Sequence, residues 1–295
     1  MKPTSRAYLE LHIAVFLFGF TAILGDLISL SATVLVWWRV LITCISLFFL
    51  LRFGKRMTKL SLKMTGILFG IGVIVALHWI TFFGAIKYSN ASIALIALAT
   101  ASFFTAFMEP LMLKKPISKV EIFLGLAIIP GMALVVKNID LSMYVGIYLG
   151  LISSILAVTF SILNKKYIND ADPMTITFVE LGSAWLFISF CLPFLFWFGA
   201  EPISFWPTQA DLFYLLILAL ACTTLAYILS LRALKHLTAF ATNLTINLEP
   251  VYGILLAWLI LKENKELNDG FYLECGLIVL VVFAYPFLKR VFKQV

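Results

Sequence analysis

Ten separate stretches of the chain are each long and apolar enough to cross a bilayer: 8–28, 32–51, 64–86, 91–113, 120–138, 144–163, 173–199, 212–232, 238–261 and 271–288. A hydrocarbon core about 30 Å thick takes about 20 apolar residues of helix. Within it every backbone polar group needs a partner, which leaves helices and closed barrels. Barrel strands would alternate apolar and polar residues over about ten positions, and the stretches show no such alternation. The connections between them are short, so no soluble domain of ordinary size fits. The pattern predicts an all-α integral membrane protein with ten transmembrane helices. The composition agrees, at 62% hydrophobic and 13% charged, against about a quarter charged in soluble domains. "FTAILGDL" offers no persuasive small-residue cleavage site, and nine similar stretches follow, so the first stretch is expected to be a span rather than a leader.

Charge placement predicts the orientation. With ten spans and a cytoplasmic N-terminus, 17 of the 22 basic residues fall on the cytoplasmic side, including Arg52, Lys55, Arg56, Lys59 and Lys63 in one loop. Four, Lys87, Lys137, Lys262 and Lys265, fall outside, and Arg39 lies within a span. The positive-inside rule favours this arrangement, with both termini cytoplasmic in a multi-pass protein of the cell membrane. The basic surplus thus marks topology and contact with the lipid surface, not nucleic acid. Cys44, Cys191, Cys222 and Cys275 are isolated in apolar segments and read as small buried hydrophobes. Nothing in the pattern calls for a metal or a cofactor.

The chain also repeats itself. At an offset of 148, Ala85, Lys87, Ala91, Leu111, Leu113 and Lys114 meet Ala233, Lys235, Ala239, Leu259, Leu261 and Lys262. Each half, 1–140 and 141–295, holds five spans, so the second half must cross in the opposite sense. The basic "KKPISK" and the acid-rich "KENKELND" then lie on opposite sides. Two inverted five-helix repeats are a common plan for secondary transporters, which rock about a shared midplane site. In this register Glu109-Pro110 is not the partner of Glu249-Pro250. Glu109 falls near the cytoplasmic edge and Glu249 near mid-membrane.

"NLEPVYGILLAWLILKE", with "ALKHLTAFA" before it, resembles the second repeat of the drug/metabolite transporter superfamily, EamA type. "WWRVLITC" resembles the arginine segment of that family's first repeat. The resemblance spans nearly the whole chain. It implies movement of amino acids or other small metabolites, and leaves the solute unnamed. Where family members often carry a proline, "TASFF" (100–104) has Ser102, which takes the place of the expected helix break in the first half.

The candidate binding or coupling residues are those that are costly at membrane depth. Glu249 is an intramembrane ionisable group, which marks function by default. Pro250 cannot donate to the carbonyl of Ile246, so a helix break is expected there. Thr242, Thr245 and Glu249 share one helical face. The competing structural role for the Glu-Pro pair is a kink. Arg39 offers a planar donor fork suited to a solute carboxylate, or else an ion pair with Asp26. Glu180 is expected to line an inner vestibule, or to be reached by Lys165 or Lys166. His78 is a candidate proton relay, with a packing hydrogen bond as the alternative. Trp38, Trp79 and Tyr227 are expected to form an aromatic wall, or to belong to helix contacts and the interfacial belt. Asn243 and Asn247 read as amide links between helices, and "GILFG" (66–70) and "GIYLG" (146–150) as close helix contacts, within one bundle or between protomers.

No G-x-x-x-x-G-K-[ST] loop is present, so ATP drive would need another subunit. A secondary transporter of a small organic solute, exporting it by alternating access, is the leading expectation. The partners are then the solute, the bilayer and protons as a candidate coupling ion, in a monomer or homodimer. The alternative from another class is a membrane-embedded enzyme acting on a lipid or lipid-linked substrate. It would need a clustered nucleophile, metal set or acid pair, whereas the ionisable residues are dispersed in the sequence.

Overall fold

The helices begin where the sequence supplies a cap. Ser61, Asn90 and Thr238 accept from the backbone N–H groups of Met64, Ile93 and Ala241 through their side chains. Asp172 caps Met174 ahead of Pro173, whose fixed φ suits a first helical turn. Thr208 and Asp211 form a reciprocal capping box. These signals set the bounds of an all-helical fold in a computed structural model that describes residues 3–54, 57–130, 132–133, 140–199, 204–260 and scattered positions between 273 and 288.

In chain order the helices are α1 (Pro3–Leu27), α2 (Ala32–Gly54), α3 (Leu62–Tyr88), α4 (Ala91–Ala99), α5 (Ala101–Leu113), α6 (Lys119–Leu126), α7 (Tyr144–Tyr167) and α8 (Pro173–Phe198). They continue with α9 (Gln209–Ala219), a π-helical segment (Leu220–Leu225), α10 (Ala226–His236), α11 (Ala239–Ile246) and α12 (Glu249–Ile260). Among the described residues seven segments are long and apolar enough to span, α4–α5 and α9–α10 each counting once. The broken pair α11–α12 occupies the stretch expected at 238–261. The expected spans 120–138 and 271–288, the "KENKELND" segment, Lys137, Lys262, Lys265 and Cys275 lie wholly or largely outside the described residues.

Element bounds carry the repeat register. Helix α3 ends at Tyr88 and α10 at His236; α4 begins at Ala91 and α11 at Ala239. Both pairs stand at the offset of 148. Earlier in each half the offset is 141, Pro3 against Tyr144 and Ala32 against Pro173. Of the seven extra residues, three lengthen α8, three lengthen the loop from α8 to α9, and one lies in the span that holds the π-helical segment.

One expectation needs correction. The first half does contain a broken helix, at Thr100, although no proline is there. Thr100 adopts φ −64° and ψ −7°, and Asn247 at the second break adopts φ −62° and ψ −5°. The Thr100 hydroxyl meets the Ala97 carbonyl at 2.7 Å, competing with the backbone as short polar side chains do. The Asn247 amide crosses over to the Ala99 carbonyl at 2.8 Å and the Ser102 hydroxyl at 2.9 Å. A carbonyl freed by the break is thereby satisfied from the other half of the chain.

Small residues allow the closest crossings. A Cβ on Gly72 of α3 would collide with the Glu180 backbone carbonyl in α8, and one on Gly150 of α7 with Ala97 of α4. "GIYLG" thus packs inside the bundle, whereas Gly66 and Gly70 of "GILFG" meet nothing within 4 Å. Glu109 serves the scaffold: it accepts from Phe240 N at the start of α11 (2.6 Å) and from Lys115 Nζ (3.0 Å). A carboxylate is favoured at that positive helix end.

Candidate functional site

The two breaks face a buried cavity between α1, α2, α3, α7, α10 and the broken helices. Its walls include Arg39, His78, Trp79, Tyr227, Thr242, Ile246, Glu249 and Pro250, together with Phe18, Thr21, Phe160, Asn164, Ser230, Asn243 and Asn247. The cavity measures about 100 Å³ on the scale where one water needs about 10–15 Å³. That suits a solute of a few heavy atoms or a cluster of waters.

Arg39 is 1% exposed and projects from α2. Its guanidinium lies 4.1 Å from the centre of the Trp79 ring, a cation–π arrangement worth about 2 kcal/mol when desolvated. Nε donates to Thr223 Oγ1 at 2.6 Å. Nη1 is buried with no hydrogen-bond partner. The expected pairing with Asp26 is not made: Asp26 is exposed, and among the described residues Arg39 forms no ion pair. A buried donor of this kind costs about 1–3 kcal/mol if left unmet.

Thr223 belongs to the π-helical segment. There Thr223 and Thr224 donate to the carbonyls of Leu218 and Ala219, five residues back. Such bulges recur at functional sites because one extra residue re-aims its neighbours. Here the bulge hands Arg39 an acceptor without supplying a counter-charge. The "CTTL" sequence could have flagged paired hydroxyls, but not the i–5 pattern they adopt.

Glu249 begins α12 directly after the second break, 5% exposed. Among the described residues it makes no hydrogen bond or ion pair, and it lies near enough to Arg39 for the two charges to interact. The break falls at Ile246, where Pro250 removes the donor.

His78 follows its packing alternative while also lining the cavity. Nδ1 faces the Ser153 carbonyl at 2.9 Å, and Ser153 Oγ donates to the His78 carbonyl at 3.0 Å. Ser153 Oγ also lies 2.8 Å from Nδ1, so both oxygens of Ser153 engage that nitrogen. Trp79 and Tyr227 meet edge to face at 6.3 Å, with Phe160 stacked beyond at 6.4 Å. These rings form the aromatic wall.

Three expected residues stand elsewhere. Trp38 donates to the Phe205 carbonyl at 2.8 Å and packs among Trp37, Phe205 and Trp206, away from the cavity. Trp38 directly precedes Arg39, so its side chain leaves α2 about 100° around the helix from the Arg39 face. Thr245 is turned back onto its own helix, donating to Ala241 O at 2.8 Å. Glu180 sits behind the wall, fully buried, and accepts from Tyr227 OH at 2.8 Å. Lys165 and Lys166 do not reach it: Lys165 donates to Leu234 O, and Lys166 lies over Tyr167. Asn243 and Asn247 do join helices, through Thr105, Ser161, Ser102 and Ala99, and they also face the cavity.

Residues 5–137 and 144–285 each match the family model described as the EamA-like transporter family. The chain belongs to the EamA-like transporter family. It is therefore an EamA-type member of the drug/metabolite transporter superfamily, a multi-pass membrane transporter of small solutes. None of the curated proteins matches the chain. One crystal structure is similar over 98% of this chain and 99% of its own, with a TM-score of 0.75 and 14% identity. That likeness concerns the fold alone. For this EamA-type chain the matched segments coincide with the two halves that bring Arg39 and Glu249 to one cavity.

Proposed function

We propose that this transporter exports a small zwitterionic metabolite, of the amino-acid class, by alternating access of two inverted five-helix repeats, with both termini cytoplasmic. The supporting observation is one cavity walled by a guanidinium and a carboxylate that, among the described residues, have an unmet donor and no partner respectively. Arg39 Nη1 is then the donor for the solute's carboxylate, a charge-assisted bond stronger than a neutral one. Glu249 takes the cationic end. The aromatic wall of Trp79, Tyr227 and Phe160 receives the side chain. The equivalent breaks at Thr100 and Asn247 give each repeat a hinge at the cavity.

The test uses purified protein in liposomes preloaded with an unlabelled mixture of the twenty amino acids, with each labelled amino acid supplied outside in turn. Counterflow of at least one zwitterion is expected, competed more strongly by other zwitterions than by simple amines or simple carboxylates. Absence of counterflow for all of them would overturn the assignment of solute class. Right-side-out and inside-out vesicles then give the direction.

A further inference from the structure

We infer that Glu180, Asn164 and Tyr227 form a buried proton-carrying site behind the cavity wall, separate from the Arg39 and Glu249 positions that hold the solute. The inference rests on the transporter reading above, and deepens it by naming the coupling ion and its place.

Glu180 Oε2 accepts from Tyr227 OH at 2.8 Å and from Asn164 Nδ2 at 3.3 Å. Among the described residues the other oxygen, Oε1, is buried without a hydrogen-bond partner, and so is Asn164 Oδ1. One three-residue cluster therefore holds two acceptors and no donor for either. An ionised carboxylate only accepts, whereas a protonated one supplies an O–H. A single added proton is the donor the cluster lacks. A hard metal cation asks for about six oxygens, and this cluster offers two free ones.

The surrounding charges leave the role open to a proton. The helices packed on α8 carry Arg39, Cys44 and Arg52 on α2, Lys63, His78 and Lys87 on α3, and Tyr227, Arg232, Lys235 and His236 on α10. Of these only Tyr227 bonds Glu180. Arg39 is held by Thr223, His78 by Ser153 and Lys87 by the Ile28 carbonyl. Among the described residues no cation forms an ion pair with Glu180. An intramembrane carboxylate without a fixed counter-charge fits the pattern of a proton relay.

Glu180 reaches the cavity through its partners, because Tyr227 and Asn164 both line it, while α3 packs closely on the Glu180 backbone at Gly72. A proton from cavity water forms the O–H bond at Glu180 and neutralises it. When the cavity opens to the other side the proton returns to water and the carboxylate is restored. Tyr227 transmits the change, because its ring abuts Trp79, on which the Arg39 guanidinium rests.

Infrared difference spectroscopy of the purified protein in lipid, stepped through pH, tests the site without any solute. In Glu249→Gln, which removes the cavity carboxyl, a C=O band that titrates is expected, and it is expected to vanish when Glu180→Gln is added. Tyr227→Phe in the same background should keep the band and move its pH midpoint. A band that survives in the double variant, or no titrating buried carboxyl in Glu249→Gln, overturns the proposal. In liposomes a one-unit pH gradient supports about tenfold accumulation per coupled proton. With labelled amino acids as the probe, Glu180→Gln should lose that dependence on the gradient. Retained tenfold accumulation would overturn the coupling role. If the wild type moves no amino acid, the solute assignment fails while the infrared measurement still decides the proton site.

Discussion

The two helix breaks make an instructive pair. The first, at Thr100, and the second, at Asn247, share backbone angles within a few degrees and lie within one residue of equivalent points in the two repeats. Yet the first is closed upon itself by neutral groups. Thr100 bonds Ala97 and Ser154 at 2.7 and 3.0 Å, and the Ala99 carbonyl is met by Asn247. The second carries Glu249 and Pro250, where the register places Ala101 and Ser102 in the first half. One break is structural throughout; the other adds a charge and a missing donor to the same geometry. A repeat can thus duplicate a hinge and specialise only one copy, because the hinge needs polar partners and the chemistry needs an unpartnered charge.

That contrast can be broken or sharpened by substitution. The largest effect is expected from Arg39, which faces the charged break. Arg39→Ala should weaken solute binding on the order of ten- to hundredfold, the worth of one charge-assisted bond, while the protein still inserts. Arg39→Lys should rescue poorly, because an ammonium lacks the planar fork and the ring stacking. Near-normal uptake by Arg39→Ala in liposomes would remove this residue from the mechanism.

Glu249→Gln comes next. It keeps shape and removes charge, so zwitterion exchange should fall about tenfold or more, and competition by cationic amines should disappear. At the first break, Thr100→Val, which changes no charge, should leave competition by amines unaltered. Equal outcomes at the two positions would dissolve the asymmetry. If Glu249→Gln exchanges normally while Pro250→Ala is impaired, the second break is a kink and no more.

A smaller effect is expected from Asn247→Ala, which strips the amide from the Ala99 carbonyl. An unmet buried acceptor costs about 1–3 kcal/mol. The melting temperature of the protein in detergent should drop by a few degrees. The smallest belongs to Thr100→Val, which removes one hydroxyl from a break still served by Asn247. A stability loss of about 1 kcal/mol or less is expected. A larger loss there than for Asn247→Ala would mean that the first break depends on its own hydroxyl rather than on the contact across the repeats.

Much of this was legible in the chain. Hydropathy located the seven candidate spans that the described residues contain, because a bilayer imposes its thickness on every segment separately. The repeat register was legible because caps and helix ends recur at fixed spacing, as Asn90 and Thr238 do. The break at Ile246 followed from Pro250, whose missing N–H acts on its own helix. These are effects of residues on near neighbours, and near neighbours are what a sequence lists.

The remainder was decided by packing between distant segments. Whether Glu180, Trp38 or Thr245 reaches the cavity depends on how each helix is rotated, and a helix apolar on nearly every side gives little periodic signal to fix that rotation. The break at Thr100 depends on a carbonyl met by Asn247, 148 positions on from Ala99. Arg39 has its acceptor only because α9–α10 bulges at Thr223. Polar side chains at membrane depth must each find a partner, and several partners are chemically acceptable. The sequence determined which groups needed partners and where the chain crosses; the tertiary structure decided who met whom, because those choices are settled by the contact geometry of helices far apart in the chain.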